Sequence, residues 1–554
     1  MSRRERRAWV ALLAVSLVVR LWALGDRPPH HDEAVHGHFT ALVADPGIYR
    51  YDPTYHGPLL FYVTAVLFGI GGENLITLRL YPVATGMGLI ALPLLLRRRL
   101  GPRAALWTAA LAACSPVFLY YSRFARNDVP VCLFTAAALV CVWLVRRRGW
   151  KLLPWAGVAA ALHLISKETF YVTLPLLAVA TGAVMLRQGL VAGRGEGESG
   201  GDRCPAGVFA RAGRMVARAP GAGWAVLRRS VISSWNGLGW WWQRYHRGAV
   251  AGALWFVTIT LAGYTYFFTN PGDAFFPYRA VSYWWSQHSI QRIPGPWFFH
   301  LVRLCLYEFL PALAGLIWVA RRWRRLRDWE VFCLFWALSA FVMYAYLGEK
   351  VPWLLVHQVL PLFPLAGAQL ARTFSPRGAV WSRGLASVAL LATVWSAWNV
   401  TFRTPALTPG QDRAELLVFV QTTPALGAVA RQGRHLHRER PGQVVAAVSG
   451  EASWPLSWQW RRIPVVWGLP GEGVAPPLVV CDPHLAEQIL DRLPPGYSRR
   501  SLPLRGWWVE EWKGVTPRTL ARWFFTRRPW SPLGATETVV LELDEERADE
   551  GVNP

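Results

Sequence analysis

Lysine is almost missing from this 554-residue chain: four residues, against 55 arginines. Charged residues make up only 17% of the sequence, below the ~25% of ordinary soluble proteins. That scarcity, with 53% hydrophobic residues, excludes a disordered chain and a typical soluble enzyme. Cysteine is sparse and odd in number, at seven. Cys481 is the only one beyond residue 402, so that part forms no internal disulfide. No Walker A motif, no GxGxxG after a strand and no GxSxG is present, which leaves ATP-pump and Rossmann-cofactor chemistry without support.

Acidic residues are also few, giving a net charge of +25. Residues 1–402 hold 41 basic and 17 acidic groups, and residues 403–554 hold 18 and 17. The basic excess therefore lies in the apolar part, which points to loops facing an anionic leaflet and not to a nucleic-acid surface. The 32 Trp and 17 Tyr fit interfacial aromatic belts. A spanning helix needs ~20 predominantly apolar residues. Candidates are 8–24, 75–96, 104–121, 127–145, 152–166, 169–186, 249–269, 298–320, 329–347, 352–371 and 379–400, eleven in all. The apolar stretch from Pro58 to Gly72 is shorter and reads as a juxtamembrane or re-entrant helix. No small-residue cleavage site follows Leu24, so the first span is not read as a signal peptide.

With the N-terminus inside, the inner loops carry 30 basic residues and the outer loops nine, which favours that orientation. The expectation is a mainly α, polytopic membrane protein of about eleven transmembrane helices with a small extracytoplasmic C-terminal α/β domain. Residues 1–402 form the membrane domain, with an outer juxtamembrane loop at 25–74 and a flexible cytoplasmic loop at 187–248. Residues 403–554 form the outer domain. There, strand-like runs (Val444 to Val448, Leu478 to Cys481, Thr538 to Leu543) alternate with helix-like ones (Pro483 to Leu493, Pro517 to Phe525).

The informative features are polar clusters on the outer face. His30-His31-Asp32-Glu33 with His36 and His38 follows the first span. Its adjacent acids suit a general base at the bilayer surface, or simply the start of a helix. Its four histidines suit a divalent metal less well, because His31 and His36 do not have zincin spacing. Tyr55 and His56 sit in a Pro-rich turn. Arg123, Arg126 and Asp128 end two spans, where arginines can read phosphate or cap a turn. Lys167-Glu168 and Glu349-Lys350 place two of the four lysines in short outer turns, as phosphate contacts or as structural pairs. His288, Arg292 and Trp297 lie in a polar, aromatic-ended loop. Glu308 is an acid near mid-span, functional or buried in a pair.

Five segments carry a resemblance: HHDEAVHGHF, YDPTYHGPLLFYVTAVLFG, SPVFLYYSRFARNDVPV, QHSIQRIPGPW and GEKVPWLLVHQVLPL. They resemble the flippase activity-associated proteins, a family similar to the GT-C glycosyltransferases such as protein O-mannosyltransferases and aminoarabinose transferases. The resemblance implies an acid after the first span, matched by Asp32 with Glu33 beside it. It implies a second acid after the third span, matched by Asp128. It further implies a polyprenyl-phosphate sugar donor, inversion at the anomeric centre, no required cofactor and the plasma membrane of a prokaryote. On this reading Asp32 or Glu33 is the base. Arg123, Arg126, Lys167 and Lys350 hold the phosphate. His31, His36, Tyr55, His56, Asp128, Glu168, His288, Arg292, Trp297 and Glu349 complete the substrate site. The alternative is a non-catalytic partner of a lipid-sugar translocation system, since fold does not fix function.

Overall fold

A computed structural model describes residues 1–44, 49–192, 220–290, 293–404, 408–471 and 473–544. Its first helix, Arg3–Leu21, starts where the Ser2 hydroxyl accepts from the Glu5 amide. Helix His31–Ala44 follows, then the short apolar helix Leu59–Gly71, where the sequence places a juxtamembrane segment. Asn74 forms a capping box with Thr77 and launches helix Leu75–Ala91, satisfying amides that the first turn leaves open.

Among the described residues, five helices are long and apolar enough to cross a membrane, or up to seven if each of two bent pairs is one span. The eleven expected spans are thus not confirmed, and the causes are local. The expected span 104–121 breaks at Ser115-Pro116 into helices Pro102–Cys114 and Pro116–Tyr121. The expected span 152–166 is a helix of only twelve residues, Leu153–Leu164. Helices Phe299–Tyr307 and Phe309–Arg322 meet at 93°. At that bend Glu308 accepts from Ser115 Oγ (2.5 Å) and the Val117 amide (3.0 Å). It thus ties two broken spans together, the structural alternative for this acid. The flexible loop expected at 187–248 needs correction. Helix Thr169–Ala192 runs into it and a 45-residue helix, Pro220–Tyr264, takes its second half, while 193–219 lies outside the described residues.

The C-terminal region is a six-stranded sheet with helices. In chain order the strands are β1 (Gln421–Thr422), β2 (Ala446–Val448), β3 (Val465–Trp467), β4 (Leu478–Cys481), β5 (Tyr497–Trp508) and β6 (Leu533–Leu543). Their spatial order is β1-β5-β6-β4-β2-β3, with β2 parallel to β3 and β4 and the other pairs antiparallel. Side chains alternate between faces along each strand. Ala446, Val448, Leu478 and Val480 meet Leu426, Val429 and Trp460 on one face. Ala447, Val479 and Cys481 meet Ala486 and Ile489 on the other. Burial on both faces explains the continuous apolar runs of β2 and β4.

This region sits on the membrane helices. Tyr307 donates to Glu415 (2.8 Å), Tyr121 to the Leu417 carbonyl (2.8 Å) and Trp523 Nε1 to the Ala414 carbonyl (3.0 Å). Arg303 pairs with Glu510. Segment 414–419 is thereby held over the helix ends that carry the polar clusters.

Candidate active site

Asp32 and Glu33 are neighbours on one helix, so they diverge by ~100°, and their surroundings differ accordingly. Glu33 is fully buried. Its carboxylate takes Arg79 Nε (2.8 Å) and NH2 (2.6 Å), the Ala125 amide (2.9 Å) and the His30 amide (3.0 Å). Burial alone would raise this carboxyl, but the Arg79 guanidinium and the two amides hold it below the usual range. Arg79 also donates to the carbonyls of Leu24, Arg27 and Pro28. Glu33 thus fixes the loop after the first helix against helix Leu75–Ala91, and this pairing sets it apart from Asp32.

Asp32, by contrast, keeps 31% of its side chain exposed and pairs with Arg126. Arg126 lies flat on Trp353, 3.6 Å from the ring centre, and its Nε is 3.4 Å from Asp128 Oδ2. Asp128 is buried and receives Lys167 Nζ at 2.7 Å, with His357 Nε2 at 3.3 Å. Four distant stretches of sequence therefore converge on a single cluster: two carboxylates, a guanidinium, an ammonium and an imidazole. Lys167 and Glu168 are adjacent yet face different partners. Glu168 accepts from Tyr51 (3.1 Å) and meets His56 Nδ1 at 2.8 Å, and His56 stacks on Trp284 (5.0 Å between centroids). Gly57 makes this approach feasible, because a Cβ there would lie 2.3 Å from the Ile165 carbonyl oxygen. Tyr55 packs with Phe39 and Trp454, the latter from the C-terminal region.

The four histidines diverge, and among the described residues no three His, Cys, Asp or Glu side chains form a metal-ligand group. His30 Nδ1 accepts from the Asp32 amide (3.0 Å), so Nε2–H donates to the Phe419 carbonyl (3.0 Å). His36 Nδ1 lies 2.6 Å from the Ala125 carbonyl. Burial pushes both imidazoles down to about 4. His31 and His38 are half-buried, and His38 meets Trp454 edge-on.

Two phosphate candidates meet backbone carbonyls. Arg123 donates to the carbonyls of Val19, Arg20 and Ala23 and covers the end of the first helix. Lys350 donates to the Tyr344, Ala345 and Leu347 carbonyls, closing helix Asp328–Tyr346 in the same way. Orphan carbonyls at a helix end attract cations, and sequence spacing does not separate that role from phosphate binding. His288 accepts from the Gly348 amide (3.0 Å), so it supports the 348–350 turn beside half-buried Glu349. Trp297 is 69% exposed and packs edge-on against Phe298. Arg292 lies outside the described residues. His357, Arg79 and Trp353 escaped assignment by sequence. A histidine or arginine inside an apolar run was the available signal for the first two.

The family model described as dolichyl-phosphate-mannose-protein mannosyltransferase matches residues 55–191. No curated protein matches the chain by sequence. The crystal structure of ArnT from Cupriavidus metallidurans bound to undecaprenyl phosphate is 15% identical, with 97% of this chain and 98% of that chain covered and a TM-score of 0.60. The apo state of that protein gives 16%, 96%, 97% and 0.57. The archaeal oligosaccharyltransferase AglB from Archaeoglobus fulgidus, in complex with an inhibitory peptide and a dolichol-phosphate, gives 15%, 88%, 70% and 0.51. The chain therefore shares the fold of these solved structures, and its residues 55–191 match the mannosyltransferase family model.

Proposed function

We propose that this protein transfers a sugar from a polyprenyl-phosphate carrier at the outer face of a prokaryotic plasma membrane, with Asp32 as general base. The observation that carries the reading is the Asp32–Arg126 pair: the one half-exposed carboxylate of the cluster is held by a guanidinium that also suits phosphate. Donor phosphate competes for Arg126 and releases the Asp32 carboxylate. An acceptor hydroxyl then gives its proton to Asp32 as its oxygen attacks the anomeric carbon. The bond from that carbon to the phosphate oxygen breaks, and the polyprenyl phosphate leaves with the electron pair. A single displacement of this kind inverts the anomeric centre. Arg126 and Lys167 stabilise the charge growing on the leaving phosphate. Asp128 and His357 position Lys167, and Glu33 with Arg79 position Asp32. The surplus of basic residues in the loops opposite the site supports the outer orientation.

The test is turnover of a radiolabelled polyprenyl-phosphate hexose by purified protein in nanodiscs. Transfer to an acceptor is expected, and Arg126→Gln should weaken donor binding by about tenfold or more, as removal of a charge-assisted contact does. Donor binding without transfer to any acceptor would instead favour the translocation-partner reading.

A further inference from the structure

A second feature lies at the opposite, arginine-rich end of the bundle. A cleft reaches from Leu89 to Leu100 among the spans and is bounded almost wholly by apolar side chains. A second opens beside Arg99 and Asp328. Leu96, Leu100, Leu139, Trp143 and Phe332 line both, so the two are contiguous. Leu89 to Arg99 is ten helical residues, about 15 Å, which is the depth of one leaflet of a ~30 Å hydrocarbon core. The mouth is cationic. Arg99 lies within electrostatic reach of Arg146 and Arg147, and its Nε is buried without a hydrogen-bond partner among the described residues. Asp328 does not cancel this charge, because Arg187 pairs with it and Gln188 donates to it at 2.8 Å. By contrast, neighbouring Arg97 is taken up by Glu5 at 3.0 Å.

We infer that this end binds an anionic glycerophospholipid of the adjoining leaflet, with one acyl chain in the chamber and its phosphate against Arg99, Arg146 and Arg147. An apolar slot of leaflet depth under three arginines complements an acyl chain joined to a phosphate, as basic pockets between transmembrane helices do for anionic head groups. The site is independent of sugar transfer, since it shares no residue with the Asp32 cluster.

The experiment uses the full chain in nanodiscs with a phosphatidylglycerol bearing a photoreactive acyl chain, and with phosphatidylcholine carrying the same chain. Cross-links are mapped by mass spectrometry. Labelling is expected on peptides covering 89–100, 139–143 and 329–336, stronger for phosphatidylglycerol by about tenfold or more. Replacing Arg99, Arg146 and Arg147 with Gln should reduce it to the phosphatidylcholine level. Leu139→Trp, which fills the chamber, should remove it for both lipids. Melting temperatures establish that the variants are folded, and Arg99→Gln alone serves if the triple variant is not. Equal labelling by both lipids, or no change in the arginine variant, overturns the proposal. So does labelling that appears only after removal of 193–219, which would make that segment the occupant.

Discussion

Glu33 and Arg79 show how much depends on a single buried pair. Both are essentially inaccessible, so losing one partner leaves the other charged or desolvated in the interior. Glu33→Gln or Arg79→Met should each cost about 3–5 kcal/mol, read as a large fall in melting temperature. The double replacement Glu33→Leu with Arg79→Leu should cost less than the two single changes together. Additive losses would show that the pair is not coupled. His30 and His36 make a second residue-scale prediction. Their folded values near 4 lie below the ordinary 6.5, so between those limits the unfolded chain binds more protons. Stability should therefore fall as pH drops from about 6.5 towards 4, and the depressed Glu33 carboxyl adds a loss in the same direction at the acid end. A melting temperature flat across that window would contradict the buried, neutral assignment.

At the scale of elements, helix His31–Ala44 is seated by Gly37. A Cβ there would lie 2.5 Å from the Trp458 ring, so the helix touches helix Ser453–Gln459 of the C-terminal region directly. Gly37→Val should destabilise by about 1–3 kcal/mol through overpacking, and Trp458→Leu should restore part of the loss. An undiminished melting temperature would mean that the two elements separate easily. Elements of this kind were unequally legible in the sequence. The runs at β2, β4 and β6 and the helices Ala486–Leu490 and Pro517–Thr526 stand out by periodicity. Strand β5 does not, because Ser498 to Ser501 are polar and exposed on a sheet covered elsewhere. Span breaks at Ser115-Pro116 and Glu308 were hidden because hydropathy averages over them, and the Gly- and Arg-rich composition of 220–248 disguised a long helix. The site shows the same division. Asp32, Arg126, Asp128 and Lys167 were marked by charge beside apolar spans, and the structure brings them together. Arg123 carries the same signal, yet three residues from Arg126 it turns to the first helix instead.

At the scale of the whole molecule, two ends of the helix bundle gather different side chains. One gathers acids, cations and aromatics beneath the C-terminal sheet, with Trp353 under Arg126 and Trp454 beside Tyr55. The other gathers arginines around an apolar chamber. Tyr307–Glu415 and Arg303–Glu510 bind the sheet region to the helix ends, so the site is enclosed by both parts of the chain. The central claim is that Asp32 takes the acceptor proton. Its most direct test is glycosyl transfer by Asp32→Asn, with donor binding measured on the same nanodisc preparation. The account predicts unchanged folding, donor binding that is retained, and transfer lowered by about 10²–10⁴-fold, the loss typical of a removed general base. Transfer at the wild-type rate by Asp32→Asn would contradict it.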